Sequence, residues 1–310
     1  MAQYLVTGGA GFIGSHIVDH ALSAGHQVRV LDDGTSSGDY VQNIQDSNLS
    51  LMHASIMDPQ ALDEACCGVD YVLHLGALIS VPESMDQPEA YHQINTIGTL
   101  RVLDACVKHK VKAMVLSSSA AIYGDDPVMP KKEDMLPRPL SPYALSKYDG
   151  ECYTRIFTQN HSLRASALRY FNVFGPRQNP YSAYAAAVPI FISKALKNQD
   201  IHIYGDGLQT RDFVFVKDIV AANFLALEKN PGIYNVAYGG KITILDLAQQ
   251  IIALTGARSK IVHLDARSGD IKHSRADISA IAQQLGFVPS IDFVQALEDT
   301  VAYYQSEQGS

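Results

Sequence analysis

Two short stretches hold the residues best placed to do chemistry. In "SPYALSK" (Ser141–Lys147), Tyr143 and Lys147 are four apart, which puts them on one face of a helix. Ser141 is a fair N-cap and Pro142 suits a first helical turn. A tyrosine ordinarily titrates at about 10, and a neighbouring ammonium favours the phenolate. Such a pair can take a proton from a hydroxyl. In "SSSAAIYG", Ser117, Ser118 and Ser119 follow one another at the end of an apolar run. They can hydrogen-bond a substrate oxygen, or merely satisfy local backbone groups. Tyrosine and lysine are also ordinary on a wet helix face. What decides between these uses is where the surrounding elements place them.

The first half alternates strand-like and helix-like segments. "YLVTGG", "QVRVLDD", "LSLMHAS", "DYVLHLGA", "KAMVLSSS" and "LRASALRY" read as strands. Between them lie helical patterns in "FIGSHIVDHALSAG", "DPQALDEAC", "EAYHQINTIGTLRVLDACVKHK" and residues 142–160. Apolar strands alternating with helices predict an α/β fold, a Rossmann-type doubly wound parallel sheet. After Tyr170 the texture changes, with Gly, Pro and Asn throughout "FNVFGPRQNPYSAYAAAVPIF". The helical patterns "TILDLAQQIIALTG" and "SIDFVQALEDTVAYY", with "IVHLDAR" between them, predict a smaller C-terminal α/β domain that binds substrate. Residues 1–170 form the first domain, joined by 213–238. Residues 171–212 and 239–310 form the second.

"TGGAGFIG" spaces Gly8, Gly11 and Gly14 between the first strand and the first helix. Glycines there permit a tight turn and a close approach of backbone N–H groups to a pyrophosphate, which the helix N-terminus favours. Asp32 and Asp33 end the second strand, about 20 residues on, where an acid accepts bonds from ribose hydroxyls and repels a 2′-phosphate. These features predict NAD rather than NADP, with FAD as the minor competitor. In an open parallel sheet the strand carboxyl ends face the ligand crevice, so the three serines sit at its rim. Oxidised nicotinamide is then a second positive charge favouring a Tyr143 phenolate.

The chain has 310 residues, 47% hydrophobic content and a formal net charge of −8. An acidic chain without basic runs is a poor partner for nucleic acid or anionic membranes. It carries neither a signal-peptide pattern nor an apolar run of membrane-spanning length, which predicts a cytoplasmic protein. Cys66, Cys67, Cys106 and Cys152 include no C-x-x-C pair and read as reduced residues. No metal site is predicted.

"TGGAGFIG", "HLGALISVPES", "SSSAAIYG", "YALSK", "YFNVFGPRQNP", "TRDFVFVKD" and "RSGDIKHSRAD" occur in this order across nearly the whole chain. Together they resemble the extended short-chain dehydrogenase/reductase family, and within it the NAD-dependent nucleotide-sugar 4-epimerases such as those for UDP-glucose and UDP-N-acetylglucosamine. The resemblance implies a catalytic hydroxyl at Ser119 (with Ser118 assisting), a base at Tyr143 and its partner at Lys147. It implies an NAD site from Gly8, Gly11, Phe12, Ile13, Gly14, Asp32, Asp33, Ser55, Ile56, Leu75, Gly76, Ala77, Asn95, Ser117, Tyr143, Lys147 and Tyr170. For the UDP-sugar it implies Ser118, Ser119, Asn172, Val188, Tyr204, Arg211, Arg267, Asp270 and Ser274, with both arginines clamping the diphosphate. Two departures stand out. Ser55 replaces the acid that many relatives carry near adenine, with Asp58 three residues later, and Ile79 replaces a cofactor-binding lysine of some relatives.

The implied activity is redox-neutral inversion of C4 through a 4-keto sugar, on UDP-GlcNAc/UDP-GalNAc and/or UDP-Glc/UDP-Gal. Ser274 matches a position that is bulky in epimerases restricted to plain hexoses, so a small serine implies room for an N-acetyl group. A dehydratase of the same family would place an acidic pair after Ser119, where this chain has Ala120 and Ala121. A UDP-glucuronate epimerase or decarboxylase is another alternative, as is a non-catalytic NAD-binding regulator. Helices near 89–109 and 142–160 match those that form a homodimer interface in the family.

Overall fold

The alternation of the first half folds as a layered α/β structure. The computed structural model describes residues 1–35, 40–181, 185–266 and 272–308. Its first part runs β1 (Gln3–Thr7), α1 (Phe12–Ser23), β2 (Gln27–Asp32), β3 (Leu49–His53), α2 (Pro59–Cys66), β4 (Tyr71–His74), α3 (Val81–Asp86), α4 (Pro88–Tyr91), α5 (Gly98–Lys108), β5 (Ala113–Ser119), α6 (Pro142–Asn160) and β6 (Arg164–Tyr170). The remainder is β7 (Asn172–Phe174), α7 (Ala187–Leu196), β8 (Ile201–Tyr204), β9 (Thr210–Arg211), β10 (Phe213–Phe215), α8 (Val216–Glu228), β11 (Ile233–Val236), β12 (Ile242–Thr243), α9 (Ile244–Thr255), β13 (Ile261–Leu264), α10 (Ser279–Leu285) and α11 (Phe293–Gln308).

Seven strands form one parallel sheet in the order β11-β6-β5-β4-β1-β2-β3. Winding reverses between β1 and β4, and an open sheet of this kind leaves a crevice at that point, beyond the strand carboxyl ends. Both faces are apolar because the strands alternate between two cores. On β5, Ala113 and Val115 pack with Ile17, Val18 and Ile219 from α1 and α8. Met114 and Leu116 pack on the other side with Leu62, Val102 and Phe157 from α2, α5 and α6. Residues 213–238 contribute to this body, through α8 in the first core and β11 on the edge of β6.

A third core joins α7, α9 and α11 around Phe191, Ile192, Leu247, Ile251 and Leu297. Beside it, β13 pairs in parallel with β8, while β12 pairs antiparallel with β9. None of the helices among the described residues is long and apolar enough to cross a membrane.

One predicted element differs. The helical pattern over residues 89–109 is α4, a π-helical turn at His92–Ile97, and then α5. Such a turn inserts an extra residue and re-aims the side chains around it. Here it carries the buried Asn95.

The first turn and α1 fit only if glycines are retained. Gly8 has φ +69°, and a Cβ there would lie 2.7 Å from Gly76 N; a Cβ on Gly14 would lie 2.2 Å from Gly8 O. Backbone atoms on both sides cannot yield cheaply. Gly14→Ala is therefore expected to lower unfolding stability by about 1–3 kcal/mol, read from urea denaturation midpoints, and to reduce the NAD that copurifies.

Candidate active site

The cradle lies at the carboxyl ends of β1 and β4. Gly11 is the N-cap of α1 and brings no side-chain bond, so the first N–H groups at Phe12, Ile13 and Gly14 keep the free donors of a helix start. Asp32 holds the turn, with Oδ2 accepting from the Ala10 N–H at 3.0 Å and Oδ1 from the Gly34 N–H at 2.9 Å. Asp33 caps its own loop through the Thr35 N–H and hydroxyl. Leu75 N donates to Thr7 O at 3.0 Å, and Gly76 N to Thr7 Oγ1 at 3.2 Å. Ile56 lies beneath Gly76 and Gly98, its side-chain atoms in contact range of both. Ser55 Oγ accepts from the Met57 N–H, and Asp58 caps α2 by accepting from Gln60 and Ala61 N–H. Asp58 Oδ1 is thereby committed to the helix. Asn95 turns its amide to Leu78, accepting from the N–H at 2.8 Å and donating to the carbonyl at 2.9 Å, while also donating to Ser146 Oγ. It grips the loop that follows β4, including Ala77. Ile79, in the same loop, points its side chain to solvent.

A cradle that a single Cβ would fill, next to open helix N–H groups and two acids at the end of β2, fits a dinucleotide pyrophosphate.

The reactive cluster is built between α6 and β5. Ser141 caps α6 by accepting from the Ala144 N–H at 3.1 Å. Residues 143, 147 and 151 then form one stripe facing the serines. Ser119 stands close enough to the Tyr143 phenol for its hydroxyl to favour the phenolate, while its Oγ accepts from the Ala121 N–H at 3.1 Å. Lys147 Nζ donates to Ser117 O at 2.9 Å and lies 5.9 Å from the centre of the Tyr143 ring. Glu151 Oε1 accepts from the Ser118 hydroxyl at 2.5 Å. Tyr91 packs edge-on to Tyr143, ring centres 6.4 Å apart.

Burial sets the electrostatics of the pair. Burial raises the Tyr143 pKa, with the Ser119 hydrogen bond pulling the other way. Desolvation is the larger effect and decides the direction. Burial in turn lowers the Lys147 pKa to about 8.

Three of the expected site residues are buried. Ser118 is buried, and its hydroxyl donates to Glu151, so that hydroxyl is committed to the packing of α6 on β5. Tyr170 is buried in the first core, its hydroxyl bonded to Asn223. Val188 is 1% exposed in the third core and offers substrate no side-chain surface.

The sequence reading missed the groups behind the site. Arg169 makes a two-pronged pair with Glu151, Nε to Oε1 at 2.9 Å and Nη2 to Oε2 at 2.8 Å. Its Nη1 donates to Tyr123, whose hydroxyl donates to Asn235 Oδ1 at 2.6 Å. Glu151, eight residues after Tyr143, was legible as the next member of the helical stripe; nothing local marks Arg169 as its partner. On the substrate side, buried Asp212 accepts from the N–H groups of Tyr238, Gly239 and Ala276. Burial raises its pKa to about 6. The Asp212 carbonyl accepts both the N–H and the Nδ2 of Asn172, and Arg211 precedes it on β9. Ser274 N donates to Thr210 O, which brings Ser274 beside Arg211. A cavity of about 600 Å³ adjoins Arg211, walled by Phe213, Ile242, Gln250 and Phe293 among others. Tyr204 ends β8, its carbonyl accepting from Gln209. Arg267 and Asp270 lie outside the described residues.

Fold and cluster together define an extended short-chain dehydrogenase/reductase: a doubly wound sheet with a dinucleotide cradle at its switch point and a Ser–Tyr–Lys group at the end of β5. The family can be stated more closely, because the model of the NAD dependent epimerase/dehydratase family matches residues 4–237, and the chain belongs to that family. It is 37% identical over 305 residues to a putative UDP-glucose 4-epimerase of Methanocaldococcus jannaschii, covering 97% of this chain and 98% of that one. Among solved structures it is similar to a UDP-N-acetylglucosamine 4-epimerase from Methanobrevibacter ruminantium in complex with UDP-N-acetylmuramic acid, with TM-score 0.94, 41% identity and 99% of each chain covered. It is equally similar in fold to a Thermotoga maritima UDP-glucose 4-epimerase with UDP-glucose, with TM-score 0.94, 37% identity and 99% of each chain covered. The protein is NAD-dependent, and its enzymatic class is that of isomerases.

The depressed Lys147 has a measurable consequence. Folded Lys147 releases its proton near about 8, whereas an unfolded lysine holds it to 10.5. Between those values the unfolded state binds more protons, so this residue makes unfolding free energy rise with pH. Urea unfolding across that window is expected to show a steeper rise for the wild type than for Lys147→Met.

Proposed function

We propose that this protein inverts C4 of a UDP-hexose through a 4-keto intermediate. The observation that carries the reading is the contact of Ser119 and Tyr143 on one cluster with Lys147 beside the glycine cradle. When bound, NAD supplies a reversible hydride acceptor for C4 and a positive charge beside the phenol. Tyr143 takes the 4-hydroxyl proton and later returns it, acting as general base and then general acid. Ser119 orients that hydroxyl and passes hydrogen-bond character to the phenol. Lys147, with N–H groups beyond the one spent on Ser117 O, holds the nicotinamide ribose. Burial keeps the phenol protonated in the protein's own field, so the base is active only when cofactor charge is in place. Proton abstraction is thereby tied to the state in which hydride can also leave.

Asn172 and Arg211, both fastened to the backbone around Asp212, hold the diphosphate together with Arg267, while Asp270 reaches a uridine ribose hydroxyl or the neighbouring arginine. A nucleotide fixed there leaves the hexose free to turn over and present its other face. Ala120 and Ala121 follow Ser119 in a short 3₁₀ turn, so no acid stands where a dehydratase would protonate a leaving hydroxyl. Ser274, small and beside Arg211, leaves room at C2, which favours UDP-GlcNAc/UDP-GalNAc together with UDP-Glc/UDP-Gal. A cytoplasmic homodimer goes with this reading, supported by exposed Leu145 and Ile156 on α6 and Met85 on α3.

Purified protein given UDP-sugars without added NAD is expected to interconvert the C4 epimers; bound NAD with no turnover on any nucleotide sugar would refute the activity. Tyr143→Phe should retain NAD and fold while kcat falls by roughly 10²–10⁴-fold, measured by coupled assay and by NAD release on denaturation. Ser274→Tyr should abolish N-acetyl activity and spare hexose activity, and parallel loss of both, or of neither, counts against the role given to Ser274.

A further inference from the structure

His74 is a buried titratable residue for which the mechanism above has no use. It ends β4, 2% exposed, between the cradle and the helices. Nδ1 lies 2.7 Å from Thr7 Oγ1, and Nε2 lies 3.1 Å from Thr99 Oγ1. The other bonds of the two threonines assign the protons. Thr99 gives its one hydroxyl hydrogen to Asn95 O at 2.5 Å, so toward His74 it accepts, and Nε2 carries a proton. Thr7 Oγ1 accepts from the Gly76 N–H, leaving its own hydrogen for Nδ1. A second ring proton would create a buried cation. Burial first, and then the Lys147 charge, lower the His74 pKa to about 3.

These groups form one directed chain from Gly76 N–H through Thr7, His74 and Thr99 to the carbonyl of Asn95. At one end Gly76 abuts Gly8 in the cradle. At the other, Asn95 grips Leu78 and Ser146, and Ser146 Oγ donates to Tyr143 O at 2.9 Å. A rigid ring with an acceptor on one edge and a donor on the other spans this gap.

We propose that His74, held as the Nε2–H tautomer, is a positioning residue that sets the register between the glycine cradle and the helix bearing Tyr143 and Lys147. Its turnover readout rests on the 4-epimerase function above; its spectroscopic readout does not.

Nitrogen NMR of the holoprotein labelled with ¹⁵N-histidine is expected to show His74 protonated on Nε2 and bare on Nδ1, unchanged from about pH 5 to about pH 8. An imidazolium, or the Nδ1–H tautomer, overturns the proposal. His74→Phe keeps a buried ring and loses both bonds. The folded variant should retain less NAD through gel filtration and lose roughly 10- to 100-fold in kcat, with KM for UDP-sugar within about twofold of wild type. Wild-type kcat and NAD content in that folded variant would overturn it equally. If His74→Phe does not fold, Thr99→Val removes only the hydroxyl and carries the same test with the same two outcomes. Should the wild type turn over no UDP-sugar, the epimerase reading fails while the tautomer and NAD retention still decide the role of His74.

Discussion

The contact between α6 and β5 is the constraint from which the site follows. Three consecutive serines on the strand meet three helix residues spaced by four. Ser119 meets the phenol of Tyr143, the carbonyl of Ser117 meets the ammonium of Lys147, and the hydroxyl of Ser118 meets the carboxylate of Glu151. The first of these contacts is the one the proposed chemistry uses. The other two fix how far α6 slides along β5, and so where the phenol stands. Glu151 is held from behind by both prongs of Arg169 on β6, the neighbouring strand. A buried ion pair adds little net stability when whole and leaves a costly orphan when one partner is lost. Its value here is geometric: two adjacent strands and one helix are fixed relative to each other by groups with fixed directions.

Burial does the electrostatic tuning. It raises Tyr143, lowers Lys147 to about 8, and keeps His74 neutral. In water the same tyrosine and lysine would pull each other's charges into being. Inside the protein the desolvation cost exceeds that attraction. A phenol that resists ionisation until another positive charge arrives is suited to chemistry that must not begin before its partner is seated.

Much of this was legible in the sequence. The glycine turn was, because Gly8 and Gly14 answer to backbone geometry that no other residue type satisfies. So was the Tyr143–Lys147 pair, since helical spacing alone puts both on one face. What escaped is set by directions and distances that only folding creates. Ser118 and Tyr170 lie where ligand-facing residues were expected, yet their side chains point into the sheet's packing. Val188 lies in an element that flanks substrate but turns inward. Arg169 meets Glu151 across 18 residues of chain, and Asp212 gathers N–H groups from residues 238, 239 and 276. The π-helical turn at Asn95 leaves no periodicity signal, because it interrupts one helix by a single residue.

The last strand of the main sheet, β11, comes from residues 233–236, far along the chain from β6, which it pairs with. As the chain leaves the ribosome, β6 presents a bare apolar edge while some sixty further residues are made, a stretch in which another chain can pair with it. The order of strands thus makes synthesis of the second half a condition for sealing the first. The nascent protein passes through a window of exposure that its finished architecture no longer shows.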